Sequence, residues 1–200
     1  MKSDICAVIL VGGKSSRMGK EKYALNYHGI DQLNYLSQII SSIFGEFYIS
    51  CSKEQASSLE HYNNLIIDSE KFGNNGPFTA ILSAFDKLKS ALFVIGCDYP
   101  FIDESDIKKL ISNRDKNCNA TCFENYTQQF PEPLITIYEY SCHDLLLNQF
   151  IEGNFSLRRF LLNTTIKMIC PTKKISIKSI DTKEEYESIK NEFSQKYFHE

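Results

Sequence analysis

The chain has 200 residues, of which 42% are hydrophobic and 24% are charged, and its formal net charge is −3. A chain of this length can bury about 70% of its unfolded surface, so it needs neither disulfides nor a structural metal to hold a core. The acidic balance argues against a nucleic-acid partner, which usually requires a basic domain. We find no run approaching the roughly 18 apolar residues of a membrane span, and no signal-peptide pattern. We therefore expect one soluble domain over residues 1–200.

The seven cysteines are an odd number and include no C-x-x-C pair. Reduced thiols in a cytoplasmic protein are the simplest interpretation of such usage. A zinc site built from Cys118, Cys122, Cys142 and His143 is an alternative, although its spacing matches no common ligand pattern. A redox or metal-storage protein is a further alternative, and it would carry stoichiometric metal after purification.

Short apolar runs alternate along the chain with apolar residues at helical spacing. Strands are predicted over 5–11, 47–49, 65–67, 91–95, 119–123, 134–138 and 167–170. Helices are predicted over 33–44, 78–88, 107–111, 145–150 and 157–162, with Asp103 capping the third and Thr182 and Glu185 opening a last one as a capping box. This alternation is typical of a mostly parallel central sheet covered by helices on both faces, a three-layer α/β/α Rossmann-like fold.

Ligands of open α/β sheets bind at the carboxyl ends of the strands. The first predicted strand runs into a glycine-rich basic segment at 12–22, GGKSSRMGKEK, and two other strands end at Asp68 and Asp98. One basic loop and two carboxylates are therefore expected at one edge of the sheet. This combination suits a polyphosphate together with a divalent cation.

The glycine-rich segment has the composition of a phosphate-binding loop. Gly12 and Gly13 allow the backbone to approach a ligand closely, and Arg17 and Lys22 can donate charge-assisted hydrogen bonds to phosphate oxygens. The P-loop requires four residues between its glycines, whereas five separate Gly13 from the next glycine, and the dinucleotide motif does not allow adjacent glycines. A solvated glycine turn with surface lysines is the alternative.

Residues 10–22, LVGGKSSRMGKEK, closely resemble the signature L-A-G-G-x-S-x-R-M-G-x-D-K of the MobA-type nucleotidyltransferases, the molybdenum cofactor guanylyltransferases. Later segments resemble the same family in the same order, and the similarity covers most of the chain. These segments are Asp68 followed by GP at 76–77, GCDYPF at 96–101, PEPL at 131–134 and SLRR at 156–159.

The chain also departs from the family pattern. Val11 replaces the usual alanine, Glu21 replaces an aspartate, and residues 78–80 replace Leu-Ala-Gly. Ser52 lies where the family usually carries a nucleotide-contacting asparagine, and its hydroxyl could substitute for that side chain in part. None of these changes removes a charge from the expected phosphate or metal site.

The resemblance implies a nucleotidyltransferase fold and the transfer of GMP from GTP to molybdenum-bearing molybdopterin, with release of pyrophosphate. It implies Mg²⁺ as cofactor with Asp98 as its ligand, and Arg17, Lys22 and Asp98 as the catalytic residues. Asp68 would contact the nucleoside or support the metal. The implied nucleotide contacts are Leu10, Val11, Gly12, Gly13, Lys22, Ser52, Asp68 and Asp98.

Two alternatives to guanylyl transfer stay open. The Gly12-Gly13 pair favours GTP, because the cytidylyl-transferring relatives tend to carry Ala-Gly there, so a CTP-using enzyme is the first alternative. The second is a nucleotide-binding protein of this fold without transferase activity. In the main interpretation an acceptor molybdoenzyme or its chaperone receives the product, and neither nucleic acid nor a membrane is a partner.

Overall fold

The computed structural model describes residues 4–12, 21–125 and 130–197. Its strands are β1 (Ile5–Leu10), β2 (Phe47–Cys51), β3 (Leu65–Ile67), β4 (Ala91–Gly96), β5 (Ala120–Asn125), β6 (Phe130–Tyr138) and β7 (Ile166–Ile169). Its helices are α1 (Gln32–Phe44), α2 (Lys53–Ala56), α3 (Pro77–Leu88), α4 (Glu104–Ser112), α5 (Cys142–Ile151), α6 (Leu157–Leu162) and α7 (Lys183–Tyr197). Within these ranges no helix is long and apolar enough to cross a lipid bilayer.

The described strands form one sheet in the order β3-β2-β1-β4-β6-β5-β7. Strand β1 pairs in parallel with β2 and β4, β2 pairs in parallel with β3, and β5 pairs in parallel with β7. Only β6 runs in the opposite direction among the described strands, because it is antiparallel to both β4 and β5. The prediction of a mostly parallel sheet is confirmed.

Both faces of this sheet are buried, as the alternation of side chains along β1 shows. Ile5, Ala7 and Ile9 pack into one apolar cluster, which includes residues of α1 and α4. Val8 and Leu10 point to the other face, where the cluster includes residues of α3, α5 and α6. Since burying one such aliphatic side chain contributes about 1.5–3 kcal/mol, the two clusters hold the helices on opposite faces. The fold therefore has the three predicted layers.

Two helix starts follow their predicted caps. The Asp103 side chain accepts the backbone N–H of Asp106 at 3.1 Å and so begins α4. At α7, Thr182 Oγ1 accepts the N–H of Glu185 at 3.2 Å, while Glu185 Oε2 accepts the N–H of Thr182 at 3.0 Å. These paired bonds satisfy donors that lack partners in the first turn of a helix.

The structure differs from the sequence prediction at α2 and β6. Helix α2 has four residues, too few for apolar periodicity to show. Strand β6 begins at Phe130 instead of residue 134, and the added residues include Pro131 and Pro133, which are unusual inside a strand. Proline lacks the N–H that a ladder needs, and the register shift between Cys122 and Glu124 on the paired strand marks the irregularity beside it.

The cysteines are all free thiols. Within the described ranges no group of three or more His, Cys, Asp or Glu side chains is arranged to hold a metal ion, so the alternative zinc set is not assembled. His143 instead contacts Asp86 at 3.0 Å and Asp144 at 2.9 Å. Burial raises the pKa of both Cys122 and Cys142 to about 12, which keeps these thiols protonated.

Candidate active site

The carboxyl ends of the parallel strands place predicted site residues around one cleft. The cleft encloses about 580 Å³, and Leu10, Gly12, Ser52 and Asp68 are among the residues that line it. Leu10 and Gly12 come from the end of β1, Ser52 follows β2 and Asp68 follows β3. Four of the residues predicted to contact the nucleotide therefore share one surface, as expected for an open α/β sheet.

The other predicted contacts lie elsewhere or outside the described residues. The Val11 side chain is buried in the core, and its backbone N–H donates to the carbonyl of Ser50 at 3.0 Å. Gly13 and Arg17 fall outside the described ranges. Lys22 and Asp98 form a separate charged cluster at the same edge of the sheet.

Lys22 lies between two carboxylates. Its Nζ is 2.6 Å from Asp181 Oδ1 and 3.6 Å from Asp98 Oδ2. Burial alone would lower the pKa of Lys22, but the negative charges of Asp98 and Asp181 outweigh this effect and raise that pKa above its ordinary value. The side chain is therefore a fixed cation at the carboxyl edge of the sheet.

Asp98 is a largely buried carboxylate with unused hydrogen-bonding capacity. Its side chain is 15% exposed, and Oδ1 has no hydrogen-bond partner among the described residues. Burial raises the pKa of Asp98 to about 6, although the Lys22 ammonium opposes this shift. Gly96 leaves the space that the carboxylate occupies, since a Cβ at that position would lie 2.6 Å from Asp98 Oδ1.

The turn that carries Asp98 is held through its backbone. Three consecutive carbonyls, at positions 98–100, each accept a hydrogen bond from a different part of the chain. The donors are the N–H of Ile180 at 2.8 Å, Nε2 of Gln32 at 3.2 Å and Nε2 of His28 at 2.9 Å. Ile180 lies before α7, His28 lies before α1 and Gln32 lies in α1. The direction of the Asp98 carboxylate is therefore fixed by tertiary contacts.

Asp68 occupies a different environment in the cleft. Its Oδ1 accepts a hydrogen bond from Ser50 Oγ at 3.0 Å. Burial raises the pKa of Asp68 to about 6, partly offset by this hydrogen bond. Asp68 follows β3 and Asp98 follows β4, with β2 and β1 between those strands. The Asp68 carboxylate reaches toward the end of β1, since a Cβ on Gly12 would lie 3.9 Å from Asp68 Oδ2. The two roles that the sequence left open for Asp68, contact with the nucleoside and support of the metal, both stay predictions.

Ser52 lines the cleft and also begins helix α2. Its Oγ accepts the backbone N–H of Gln55 at 3.3 Å, while its own N–H donates to Gln55 Oε1 at 3.1 Å. The hydroxyl thus has one of its acceptor sites occupied by the helix cap. A nucleotide contact from Ser52 stays a prediction, and it would use the remaining hydrogen-bonding capacity of that hydroxyl.

Comparisons with known proteins identify the family. The MobA-like NTP transferase domain matches residues 7–167 of this chain. The chain belongs to this family. The match confirms the resemblance that the sequence motifs carry and the nucleotidyltransferase class of the protein.

Curated relatives of this MobA-like chain include three that are 28–30% identical to it over the aligned residues. They include the probable molybdenum cofactor guanylyltransferase of Methanocaldococcus jannaschii, 30% identical over 80% of this chain and 84% of that protein. The molybdenum cofactor guanylyltransferase of Campylobacter jejuni subsp. doylei is 28% identical, over 95% of this chain and 97% of that protein. The molybdenum cofactor biosynthesis bifunctional protein of Synechocystis sp. is 29% identical, and this chain spans 54% of its length.

A solved structure shares the same MobA-like fold. It is the molybdopterin-guanine dinucleotide biosynthesis protein A of Archaeoglobus fulgidus, with a TM-score of 0.79 and 22% sequence identity. The similarity covers 94% of this chain and 98% of that one. The three-layer nucleotidyltransferase fold expected from the sequence is confirmed.

Two residues of this MobA-like site were missed by sequence reasoning. Asp181 contacts Lys22. It follows no predicted strand, and the capping box that begins at Thr182 was the only sequence pattern near it, which indicates a helix start and not a site residue. Glu132 is buried and accepts a hydrogen bond from Tyr99 at 2.6 Å, next to the Asp98 turn. The motif at 131–134 drew attention to this segment, but no local pattern indicated which strand it would contact.

Proposed function

We propose that this protein transfers GMP from GTP to molybdenum-bearing molybdopterin and releases pyrophosphate. The names of the relatives from Methanocaldococcus and Campylobacter support this reaction. An acceptor phosphate oxygen attacks the α-phosphorus of GTP, and a new P–O bond forms there. The bond from the α-phosphorus to the bridging oxygen breaks, and pyrophosphate leaves with the electron pair.

The observation that carries the proposal is the position of Lys22 between Asp98 and Asp181 at the carboxyl edge of the sheet. Nucleotidyl transfer depends on positioning and on neutralising phosphate charge more than on covalent chemistry from the protein. The Lys22 ammonium can neutralise charge on the triphosphate, and Asp181 and Asp98 keep it protonated and in place. Gly12 leaves room for the nucleotide to approach the backbone beside it.

The residues around Asp98 fit a magnesium ion. The buried Oδ1 of Asp98 lacks a hydrogen-bond partner among the described residues, and Gly96 places no side chain in its way. Magnesium usually takes one or two carboxylates and completes its shell with phosphate oxygens and water. When bound, it would offset negative charge on the triphosphate and on the departing pyrophosphate.

The nucleoside is assigned to the cleft lined by Leu10, Gly12, Ser52 and Asp68. The proposal of GTP over CTP rests on the Gly12-Gly13 pair and on the names of the relatives. A site that hydrogen-bonds its base rejects other bases strongly, because its buried polar groups would be left unpaired. We therefore expect clear discrimination between the two nucleotides.

Pyrophosphate release with GTP, Mg²⁺ and molybdopterin tests the reaction, alongside parallel assays in which CTP or ATP replaces GTP. We expect release with GTP that depends on both Mg²⁺ and the acceptor. Faster release with CTP would identify a cytidylyltransferase instead. Nucleotide binding without release from any donor would indicate a nucleotide-binding protein that lacks transferase activity.

A further inference from the structure

The loop over residues 68–76 joins β3 to α3 and forms one wall of the cleft. Asp68, Asn74 and Gly76 from this loop all line the cleft. Asn74 is exposed, and its side chain takes part in none of the hydrogen bonds formed among the described residues. Because a carboxamide both donates and accepts hydrogen bonds, this side chain is available to a ligand in the cleft.

One buried hydroxyl holds the backbone on both sides of Asn74. Thr79 lies in α3 and is 2% exposed. Its Oγ1 accepts the N–H of Asn75 at 3.2 Å and donates to the carbonyl of Gly73 at 3.0 Å, with the carbonyl of Phe72 at 3.2 Å as a second acceptor. The Gly73 carbonyl and the Asn75 N–H belong to the two peptide units that flank the Asn74 α carbon. The hydroxyl therefore sets the direction in which the Asn74 side chain leaves the backbone.

Two further contacts hold the same loop against α3. Ser83, one helical turn after Thr79, donates to the Thr79 carbonyl at 2.8 Å, and its Oγ accepts the N–H of Ser69 at 2.9 Å. Within the loop, Nδ2 of Asn75 donates to the Phe72 carbonyl at 2.8 Å. The loop is thus anchored near both of its ends, while the Asn74 side chain remains available.

The Thr79 hydroxyl is a feature of this chain. Residues 78–80 replace the Leu-Ala-Gly of the family pattern, so Thr79 lies where that pattern has alanine. An alanine side chain has no hydrogen-bonding group and could not join the two peptide units beside Asn74. The position of the Asn74 carboxamide in the cleft therefore depends on a departure from the family pattern.

The cleft offers different groups to the base and to the ribose of a nucleoside. Glu54 and Asp68 line the cleft, and ionised carboxylates only accept hydrogen bonds, which suits ribose hydroxyl groups as donors. The Asn74 carboxamide carries a donor and an acceptor in one plane, as the edge of a nucleobase does. This difference in chemistry assigns the base to Asn74.

We propose that Asn74 hydrogen-bonds the nucleobase of the bound triphosphate and contributes to base specificity, and that Thr79 is the positioning residue that holds Asn74 in place. The inference rests on the proposed function, because it needs a nucleoside triphosphate in the cleft. Thr79 acts through the backbone of the loop and touches no substrate.

The first experiment measures nucleotide binding by Asn74→Ala. We expect the Kd for GTP to rise about tenfold and discrimination among GTP, CTP and ATP to narrow, while inorganic tripolyphosphate, which has no base, binds as before. Asn63→Ala, the same substitution at an exposed position before β3, is the matched control and should leave GTP binding unaltered. Unchanged GTP affinity in Asn74→Ala, or an equal loss for tripolyphosphate, would overturn the assignment.

Binding of 2′-deoxyGTP separates the base from the ribose. If Asn74 contacts the base, Asn74→Ala should weaken 2′-deoxyGTP by about the same tenfold factor as GTP. A loss for GTP that disappears with 2′-deoxyGTP would place Asn74 on the ribose 2′-hydroxyl and would overturn the assignment to the base.

The second experiment removes the Thr79 hydroxyl while keeping the shape of the side chain. In nucleotide-free Thr79→Val we expect the Asn75 N–H to exchange about tenfold faster, and we expect the KM for GTP to rise more than kcat falls. Thr79→Ser keeps the hydroxyl and should restore both values. Thr121→Val is the matched control, because Thr121 is 1% exposed and accepts the N–H of Asp115 at 3.1 Å away from the cleft. Unchanged Asn75 exchange and GTP affinity in Thr79→Val would refute the role of Thr79.

A double-mutant cycle tests whether Thr79 acts through Asn74. Once Asn74 is alanine, Thr79→Val should change the Kd for GTP by less than about twofold, since the group that it positions is gone. Full additivity of the two losses would show that Thr79 does not act through Asn74.

The same measurements separate this inference from the proposed function. If the wild-type protein binds no nucleoside triphosphate, both are wrong. If it binds and uses GTP but Asn74→Ala has the same affinity, only the role of Asn74 is refuted. If it uses CTP instead and Asn74→Ala weakens CTP, the role of Asn74 holds and the proposed donor is wrong.

Discussion

The ammonium group of Lys22 lies 2.6 Å from Oδ1 of Asp181, a residue 159 positions away in the sequence. This contact makes the segment before α7 part of the candidate site. The N–H of Ile180 donates to the carbonyl of Asp98 at 2.8 Å, and Ile180 packs in a small apolar cluster with Leu25 and Tyr27. The segment before α7 therefore contacts both Lys22, through Asp181, and Asp98, through Ile180.

Replacing Lys22 by alanine should weaken triphosphate binding and turnover without unfolding the protein. Removing one charged hydrogen-bond donor costs about 1.5–3 kcal/mol, or roughly ten- to a hundredfold in affinity. GTP titration and steady-state kinetics measure the effect. Lys108→Ala on α4, where the side chain is 63% exposed, is the control and should be silent. Normal affinity and turnover in Lys22→Ala would remove this residue from the site.

Asp98→Asn keeps the shape of the side chain but removes its charge. We expect Mg²⁺-dependent turnover to fall by about a hundredfold or more, while GTP still binds through other contacts. Asp68→Asn should instead mainly raise the KM for GTP, because Asp68 lies in the nucleoside cleft. Turnover measured across a Mg²⁺ titration compares the two variants. A near-normal rate and magnesium dependence in Asp98→Asn would place the metal elsewhere.

Gly96→Ala tests whether the space beside the Asp98 carboxylate is required. The new Cβ would lie 2.6 Å from Asp98 Oδ1 and 3.5 Å from Leu134 Cβ, so the carboxylate has to move. Overpacking of this kind costs about 1–3 kcal/mol of stability, and we expect a matching loss of Mg²⁺-dependent turnover. Thermal unfolding and a magnesium titration of the rate check both effects. A folded variant with the original magnesium dependence would contradict the assignment.

Gly12→Ala should affect function more than stability. Its Cβ would lie 3.9 Å from both Asp68 Oδ2 and Gln55 Oε1, which is ordinary van der Waals contact, so the chain can fold around it. The added methyl group faces the cleft, where we expect it to reduce GTP affinity by roughly tenfold, about 1.4 kcal/mol. The same expectation applies to Gly13→Ala. Wild-type kinetics in a glycine variant would show that close backbone approach is not needed at its position.

The stability of the protein should depend on pH through Asp68. The pKa of Asp68 is raised from 3.8 to about 6, so the folded state holds this proton more tightly than the unfolded state does. Between about pH 4 and pH 6 the unfolded carboxyl is ionised first, and the free energy of unfolding therefore falls as the pH rises. The loss of free energy of unfolding that comes from ionising buried Asp68 is therefore absent below about pH 4 and complete above about pH 6.

Asp68→Asn removes that cost, because the amide stays neutral and can still accept the hydrogen bond from Ser50. We expect the variant to gain on the order of 1–3 kcal/mol relative to the wild type at pH 7.5 and little at pH 4. Urea unfolding at the two pH values measures this difference, with Glu70→Gln at an exposed site as the control. An equal difference at both pH values would show that Asp68 is not the group responsible.

Local patterns in the sequence were sufficient to predict most of the framework. The apolar runs that became β1 and β4 are buried on both faces, and such strands show as continuous hydrophobic stretches. The caps at Asp103 and Thr182 depend on residues three positions apart, so they are visible without any tertiary information. The glycine-rich motif and the aspartates at strand ends predicted the edge of the sheet where the cleft lies, because parallel strands end on one side.

Contacts between distant segments set the chemistry within that edge, and no local pattern encodes them. The pairing of Lys22 with Asp181, the bond from Tyr99 to Glu132, and the amide of Gln55 between Val11 and Glu21 each join separate elements. The raised pKa of Asp98 also has a tertiary origin, since burial by surrounding elements removes water from the carboxylate. Strand order likewise decides that β2 and β1 lie between β3, which Asp68 follows, and β4, which Asp98 follows.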